Sequence, residues 1–209
     1  MSISLQKGQK IDLKKRDAAA GGDKPLSRVM VGLGWDEAQN TKSGLLGALF
    51  GSNAIDCDAS AILCGSNGKV IGKDIKEHCI YFGNLKHKSG AIVHQGDNLT
   101  GEGDGDDEQI MVELNSVPSE IEKIAFVVNI YDAESRRQHF GMIRNAFIRI
   151  VDLDNNEEIC RFNLSDNYDG MTGLVVGEIY RYKGEWKFNA IGQPVKSASR
   201  LTKLIDLYK

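Results

Sequence analysis

The sequence predicts an all-β fold: a β-sandwich of two mainly antiparallel sheets with a short C-terminal helix. Three observations carry that reading. Apolar and β-branched residues alternate with a period of two over much of the chain. Turn signals separate the runs, at Ser66-Asn-Gly68, Lys88-Ser-Gly90, Asp154-Asn-Asn156 and Lys183-Gly184. Helical periodicity is confined to a few short stretches. Many short strands at close spacing are the pattern of a sandwich or barrel.

In chain order, strands are expected at Ile3–Gln6, Arg28–Trp35, Ile55–Cys64, Cys79–Phe82, Ala91–His94 and Gln109–Leu114. Further strands are expected at Lys123–Tyr131, Ala146–Asp152, Glu158–Asn163, Gly173–Tyr182 and Trp186–Ile191. Ser116-Val-Pro-Ser-Glu-Ile has the capping serines of a single helical turn. Over Ser197–Tyr208, Leu201, Leu204, Ile205 and Tyr208 recur at helical spacing. They predict a terminal amphipathic helix lying on the sandwich, with a partner-binding helix as the alternative. Arg16–Pro25 reads as a loop of small and polar residues. Glu37–Asn53 reads as a longer loop, polar at both ends, with the apolar segment Leu45–Phe50 in its middle. A core plug, a dimer contact and a membrane-surface contact all suit that segment. No repeat of 20–50 residues is present, so residues 1–209 are read as one continuous domain.

Composition narrows the function classes. Apolar residues make up 41% and charged residues 26% of the 209, ordinary values for a chain with a sizeable core. The net charge of −3 gives no basic footprint for nucleic acid. No apolar run reaches the ~18–20 residues of a membrane span, and Met1–Lys7 lacks the apolar core of a signal peptide. A cytoplasmic protein is the expectation. Cys57, Cys64, Cys79 and Cys160 form no C-x-x-C pair, and three lie in β-like runs, so they are read as reduced core residues. Trp35 and Trp186 are read as core.

The charge is concentrated. Asp97, Glu102, Asp104, Asp106, Asp107 and Glu108 place six acids within twelve residues, and removing them would turn the net charge of −3 into +3. Gly101, Gly103 and Gly105 alternate with the acids, so the backbone can bend to bring carboxylates and carbonyls to one point. Carboxylates held that close repel one another unless a cation lies between them. Calcium takes six to eight hard oxygen ligands in a loose shell, and this segment is rich in such donors. Upstream, Asp56 and Asp58 stand at i and i+2 in a β-like run, on one face of a strand. Two unpaired carboxylates buried there would be costly, and a metal answers them. The spacing is not that of an EF-hand, and no Cys or His lies in the stretch to suggest zinc or copper. The bland alternative is a solvated acidic loop.

Several segments together resemble one family. Ser4–Asp12, Val31–Asp36, Ile55–Ser60 and Val93–Glu108 (Val-His-Gln-Gly-Asp-Asn-Leu-Thr-Gly-Glu-Gly-Asp-Gly-Asp-Asp-Glu) are similar to the TerD family of tellurium-resistance and general stress proteins. So are Ile130–Glu134, Asn145–Ile150 and Leu174–Tyr180, in the same order over nearly the whole chain. The resemblance implies a β-sandwich with one or two calcium ions, in a cytoplasmic bacterial stress protein. It places ligands at Asp56, Asp58, Asp97, Asn98, Asp104, Asp106, Asp107 and Glu108, with Asp36 and Asp132 as additional or supporting groups. Other stress-resistance proteins are the implied partners.

The resulting expectation is a non-enzymatic, calcium-binding stress module, with no catalytic residue and no organic cofactor, whose acidic loop is ordered by calcium for partner binding. One rival is a calcium-dependent membrane-surface module that inserts Leu45–Phe50. The other is a metal-assisted hydrolase with His94 as base. No P-loop or G-x-S-x-G elbow is present.

Overall fold

The computed structural model describes residues 2–17, 21–37, 55–96, 105–164 and 166–209. Its strands are β1 (Ile3–Leu5), β2 (Lys10–Asp12), β3 (Lys14–Asp17), β4 (Gly22–Pro25), β5 (Arg28–Glu37), β6 (Cys57–Cys64) and β7 (Cys79–Ile80). They continue as β8 (Ile92–His94), β9 (Glu108–Glu113), β10 (Lys123–Ile130), β11 (Ile143–Asp152), β12 (Glu157–Asn163), β13 (Gly173–Tyr182) and β14 (Glu185–Val195). Three short helices, α1 (Ile75–His78), α2 (Ala133–Arg136) and α3 (Leu201–Ile205), complete the regular structure with a few 3₁₀ turns.

Two six-stranded sheets face each other. Sheet one has the order β1-β12-β11-β5-β9-β8, sheet two the order β2-β14-β13-β10-β6-β7, and β3 with β4 makes a separate ribbon. All pairings are antiparallel except β1 with β12. The predicted sandwich and its dominant antiparallel pairing are thus present.

The core follows from the alternation. Val29, Val31, Leu33 and Trp35 of β5 and Ile148 and Ile150 of β11 share one buried cluster with Ile124, Phe126 and Val128 of β10. Each such side chain taken out of water contributes about 1.5–3 kcal/mol. β6 is buried at every position. Its Cys57, Ala59, Ala61 and Leu63 join the inter-sheet core, while Ile62 and Cys64 join a second cluster on the outer face of sheet two. Leu204 and Ile205 of α3 cover that outer face, together with Ala198 and Val175. The C-terminal segment therefore packs on the sandwich as expected. All four cysteines are buried and free, and burial pushes the Cys79 and Cys160 thiols up to about 12. Both tryptophans are buried.

Turn chemistry matches the chain. Lys183 (φ 53°) and Gly184 (φ 80°) join β13 to β14 with Tyr182 opposite Glu185, the left-handed pair that a two-residue hairpin needs.

Two expectations need correction. Arg16–Pro25 was expected to be a loop, yet β3 and β4 form an antiparallel ribbon from Lys14 opposite Pro25 to Asp17 opposite Gly22. It shows no apolar period because it lies outside the core. Lys15 ties it down instead, with ion pairs to Asp152 at 2.8 Å and Asp154 at 2.7 Å. The turn α1 was also not anticipated. Asp74 accepts from the Lys76 N–H and Glu77 reaches back to the Asp74 N–H, a capping box that four residues of sequence spell out. The Leu45–Phe50 segment lies outside the described residues.

Candidate metal centre

The described candidate ligands lie beside the starts of two strands, Asp56 and Asp58 at β6 of sheet two and Asp106, Asp107 and Glu108 at β9 of sheet one. β7 covers β6 only at Ala61 and Ile62. Nearer its start, the edge is closed by side chains of sheet one. The Ala59 N–H donates to Glu108 Oε2 at 2.8 Å, and His94 Nε2 lies 3.2 Å from the Ala59 carbonyl and 3.1 Å from the same Glu108 oxygen. The Gly96 N–H donates into His94 Nδ1 at 3.1 Å, which places the ring proton on Nε2 as the donor. Both side chains are about 2% exposed. Glu108, a predicted ligand, thus has Oε2 engaged in joining the two sheets. His94, the base of the hydrolase alternative, has both ring nitrogens engaged.

Asp58 lies near the start of β6, on the face opposite Ala59, and Asp56 immediately precedes that strand. Asp58 is 7% exposed and stands directly across from Asn129 of β10. The Asn129 amide donates to Asp58 Oδ2 at 3.2 Å. Turning that amide over would set its oxygen against the carboxylate, so the orientation is fixed. Asn129 Oδ1 is left buried, with no hydrogen-bond partner. An orphaned carbonyl oxygen beside a carboxylate is a place for a cation. Asp56 lies 3.8 Å from the Arg136 guanidinium.

Asp106 and Asp107 diverge. The Asp106 carboxylate is fully buried and takes a two-pronged ion pair from Arg149, at 2.7 and 2.9 Å. Gly32 makes room for it, since a Cβ at that position would overlap the carboxylate. The structure therefore commits Asp106 to the outer face of sheet one, and does not bring it together with Asp56 and Asp58. Asp107 Oδ2 accepts the Trp35 N–H at 2.7 Å. Burial raises the Asp107 carboxyl, that hydrogen bond lowers it, and the charges of Asp36 and Asp106 raise it again. Asp36 accepts from Asn145 Nδ2 at 2.7 Å. Asp132, also named by the resemblance, heads α2 in a left-handed conformation (φ 52°).

The buried thiol of Cys57 senses where the charges lie. Burial pushes it well up, and the carboxylates of Asp58, Glu108, Asp56 and Asp107 push it further. Four predicted ligands, from segments some fifty residues apart, thus act electrostatically on this one thiol. Among the described residues no three His, Cys, Asp or Glu side chains close tightly enough to hold an ion unaided. Asp97, Asn98 and Asp104 lie outside the described residues.

The donors suit a hard cation. Asp56, Asp58, Asp107 and Asn129 offer oxygen alone, the histidine beside them is committed, and the thiol is neutral. Asn129 was missed in the sequence, where a single Asn within an apolar strand gives no signal. Its burial opposite Asp58 is what identifies it.

The TerD domain family model matches residues 1–208. Stress response protein SCP2 of Bacillus subtilis (strain 168) is 51% identical, with full coverage of both chains. Tellurium resistance protein TerD of Serratia marcescens is 45% identical over 92% of this chain and 91% of its own. A homologue of telluride resistance protein from Streptomyces coelicolor A3(2) shares the fold, with a TM-score of 0.59 at 20% identity over 82% of this chain and 92% of that one.

Proposed function

This chain belongs to the TerD domain family, whose members include tellurium-resistance and general stress proteins, and on that premise we propose that it is a calcium-binding stress-response module that performs no chemical step. The observation that carries the reading is the half-formed oxygen site at the start of β6. Asp58 stands on β6 with Asp56 just before that strand, Asn129 across from Asp58 adds an unsatisfied buried oxygen, and Asp107 adds a carboxylate whose charged form burial disfavours.

A calcium ion held by Asp56, Asp58, Asp107 and the Asn129 oxygen would add positive charge among these hard donors. The chain's own residues do the rest. Asp58 is braced by Asn129, and Asp107 is held to β5 through the Trp35 N–H. Glu108 and His94 lock β9 and β8 to β6, so the two sides of the site keep a fixed separation. Asp97, Asn98 and Asp104 belong to the same acidic segment and are assigned the remaining positions. With that segment ordered, its surface receives another stress-resistance protein. Among the described residues no helix is long and apolar enough to cross a membrane.

Calorimetric titration of chelator-stripped protein with calcium tests this. Saturable binding with Kd near 10⁻⁷–10⁻⁵ M, the range of calcium sensors, is expected for the natural sequence and lost in Asp56→Asn/Asp58→Asn. No heat and no change in melting temperature on adding calcium would overturn it.

A further inference from the structure

A second site lies at the end of the sandwich where β11 leaves β5. The pairing of these strands shifts register between Arg144 and Phe147, and Asn145 takes a left-handed conformation (φ 51°) in that interval. The residues of that interval line an opening in the surface. The opening is a cavity of about 680 Å³, within the roughly 300–1,000 Å³ of small-molecule sites. Its inner wall is apolar, built from Phe140, Phe147 and Leu174. A smaller apolar recess shares those three residues and continues inward to Trp35. The Trp35 indole N–H is buried there without a hydrogen-bond partner.

The mouth is polar and carries an unanswered positive charge. Arg144 and Arg161 line it, with Asn145, Asn163 and Asp166. Asp166 is ion-paired to Lys7 at 2.5 Å. Arg161 lies over the Phe147 ring at 3.9 Å and gives one nitrogen to Glu158 at 3.2 Å, leaving further guanidinium N–H groups to donate. The Arg144 guanidinium is exposed and makes no hydrogen bond or ion pair among the described residues. Two arginines beside an aromatic face suit a planar anionic group, which guanidinium binds in two-pronged fashion.

We infer that this cavity is a binding site for a small organic anion, a carboxylate, sulfonate or phosphate ester on a flat apolar body. Arg144 and Arg161 hold the anionic group, and the apolar body lies against Phe147 and Leu174. The site stands apart from the calcium reading, since none of the described oxygens assigned to the cation, those of Asp56, Asp58, Asp107 and Asn129, lines it.

The test uses the full chain and two fluorescent probes. One is 8-anilinonaphthalene-1-sulfonate, a flat aryl sulfonate. The other is N-phenyl-1-naphthylamine, its uncharged counterpart. Saturable one-to-one binding of the sulfonate is expected, at least about tenfold tighter than the neutral probe, because the charge-assisted hydrogen bonds are absent from the latter. Arg144→Gln should erase that preference with the melting temperature unchanged, since the Arg144 side chain bonds to no other described residue. Backbone amide shifts on adding the sulfonate should cluster at 143–147 and 161–164. Unsaturable binding, equal affinity for both probes, a preference that survives Arg144→Gln, or shifts elsewhere on the protein would each overturn the assignment.

Discussion

Glu108 and His94 stand side by side at the open edge of β6 and do for Ala59 what a neighbouring strand would do. One oxygen of Glu108 accepts the Ala59 N–H, and the proton on His94 Nε2 is directed between that oxygen and the Ala59 carbonyl. The pair satisfies a buried stretch of backbone where β7 does not reach. It also bridges the two sheets, β6 on one side and β8 and β9 on the other.

The first prediction separates that bridging role from a ligand role. In calcium-free buffer, Glu108→Ala should lower unfolding stability by about 2–4 kcal/mol, because it strands the Ala59 N–H and the His94 donor in the interior. Glu108→Gln keeps an acceptor and should lose less. Urea denaturation in the presence of chelator measures both. Undiminished stability, combined with loss of calcium binding, would make Glu108 a ligand alone.

Asn129 carries the second prediction. Asn129→Leu removes the orphaned oxygen and the support of Asp58, and should weaken calcium binding by about tenfold or more, by analogy with the loss of groups that orient metal ligands. Asn129→Asp supplies an oxygen with charge and should bind at least as tightly as the natural residue once calcium is present. Calorimetry reads the affinity directly. The melting-temperature gain at saturating calcium gives an independent check, since a ligand at about 100 times its Kd stabilises by about 2.7 kcal/mol.

Asp106 should behave differently from its neighbours. Its carboxylate is fully buried against Arg149, so Arg149→Met leaves an unanswered buried charge and should destabilise by about 3–5 kcal/mol. The double variant Asp106→Leu/Arg149→Met should recover much of that loss. Chemical denaturation of the three proteins tests the pair. A mild single variant would show that the carboxylate is compensated elsewhere.

A pH dependence follows from Asp107. Burial, and then the charges of Asp36 and Asp106, raise its carboxyl in the folded protein above the ordinary value of 3.8. The folded state therefore binds this proton more tightly than the unfolded state. The resulting stability is fully present below the unfolded value and is lost as pH rises through the folded one. In calcium-free protein, Asp107→Asn should accordingly raise stability at neutral pH, and the advantage should shrink as pH falls toward 3.8. The amide oxygen still accepts the Trp35 N–H. Denaturation midpoints of the two proteins between pH 3 and 7 provide the measurement. Added calcium should reverse the order, since the cation favours the carboxylate.

The C-terminal helix is the last test. Leu204 is fully buried against Gly173, where a Cβ would meet Ala198 at 2.6 Å and Leu204 at 3.0 Å. Leu204→Ala should cost about 2–5 kcal/mol. A loss below 1 kcal/mol, read by thermal unfolding, would mean that the helix is not anchored and is free for a partner.

Much of this architecture was legible from residue order. Strands with one face in the core announce themselves by alternation, so Arg28–Trp35 and Gly173–Tyr182 were located to within two residues of β5 and β13. The β3–β4 ribbon was not legible, because Lys14–Asp17 and Gly22–Pro25 bury no apolar face and are held by ion pairs to residues over a hundred positions away. α1 was spelled out by its capping box, but four residues are too few for a helical period to emerge.

For the site, the sequence alone determined which oxygens are available: the acids and glycines of Asp97–Glu108 and the paired Asp56 and Asp58. Those are local facts of composition and spacing. Only the tertiary structure decided what each carboxylate does. Asp106, Asp107 and Glu108 are consecutive, yet they end on Arg149, on the Trp35 amide and on Ala59. Asp106 and Asp107 lie just before β9 and Glu108 opens it, and what meets each of them is set by strands far away in the chain. The same reason hid Asn129, whose neighbour Asp58 is 71 positions away in sequence and directly opposite in the sheet.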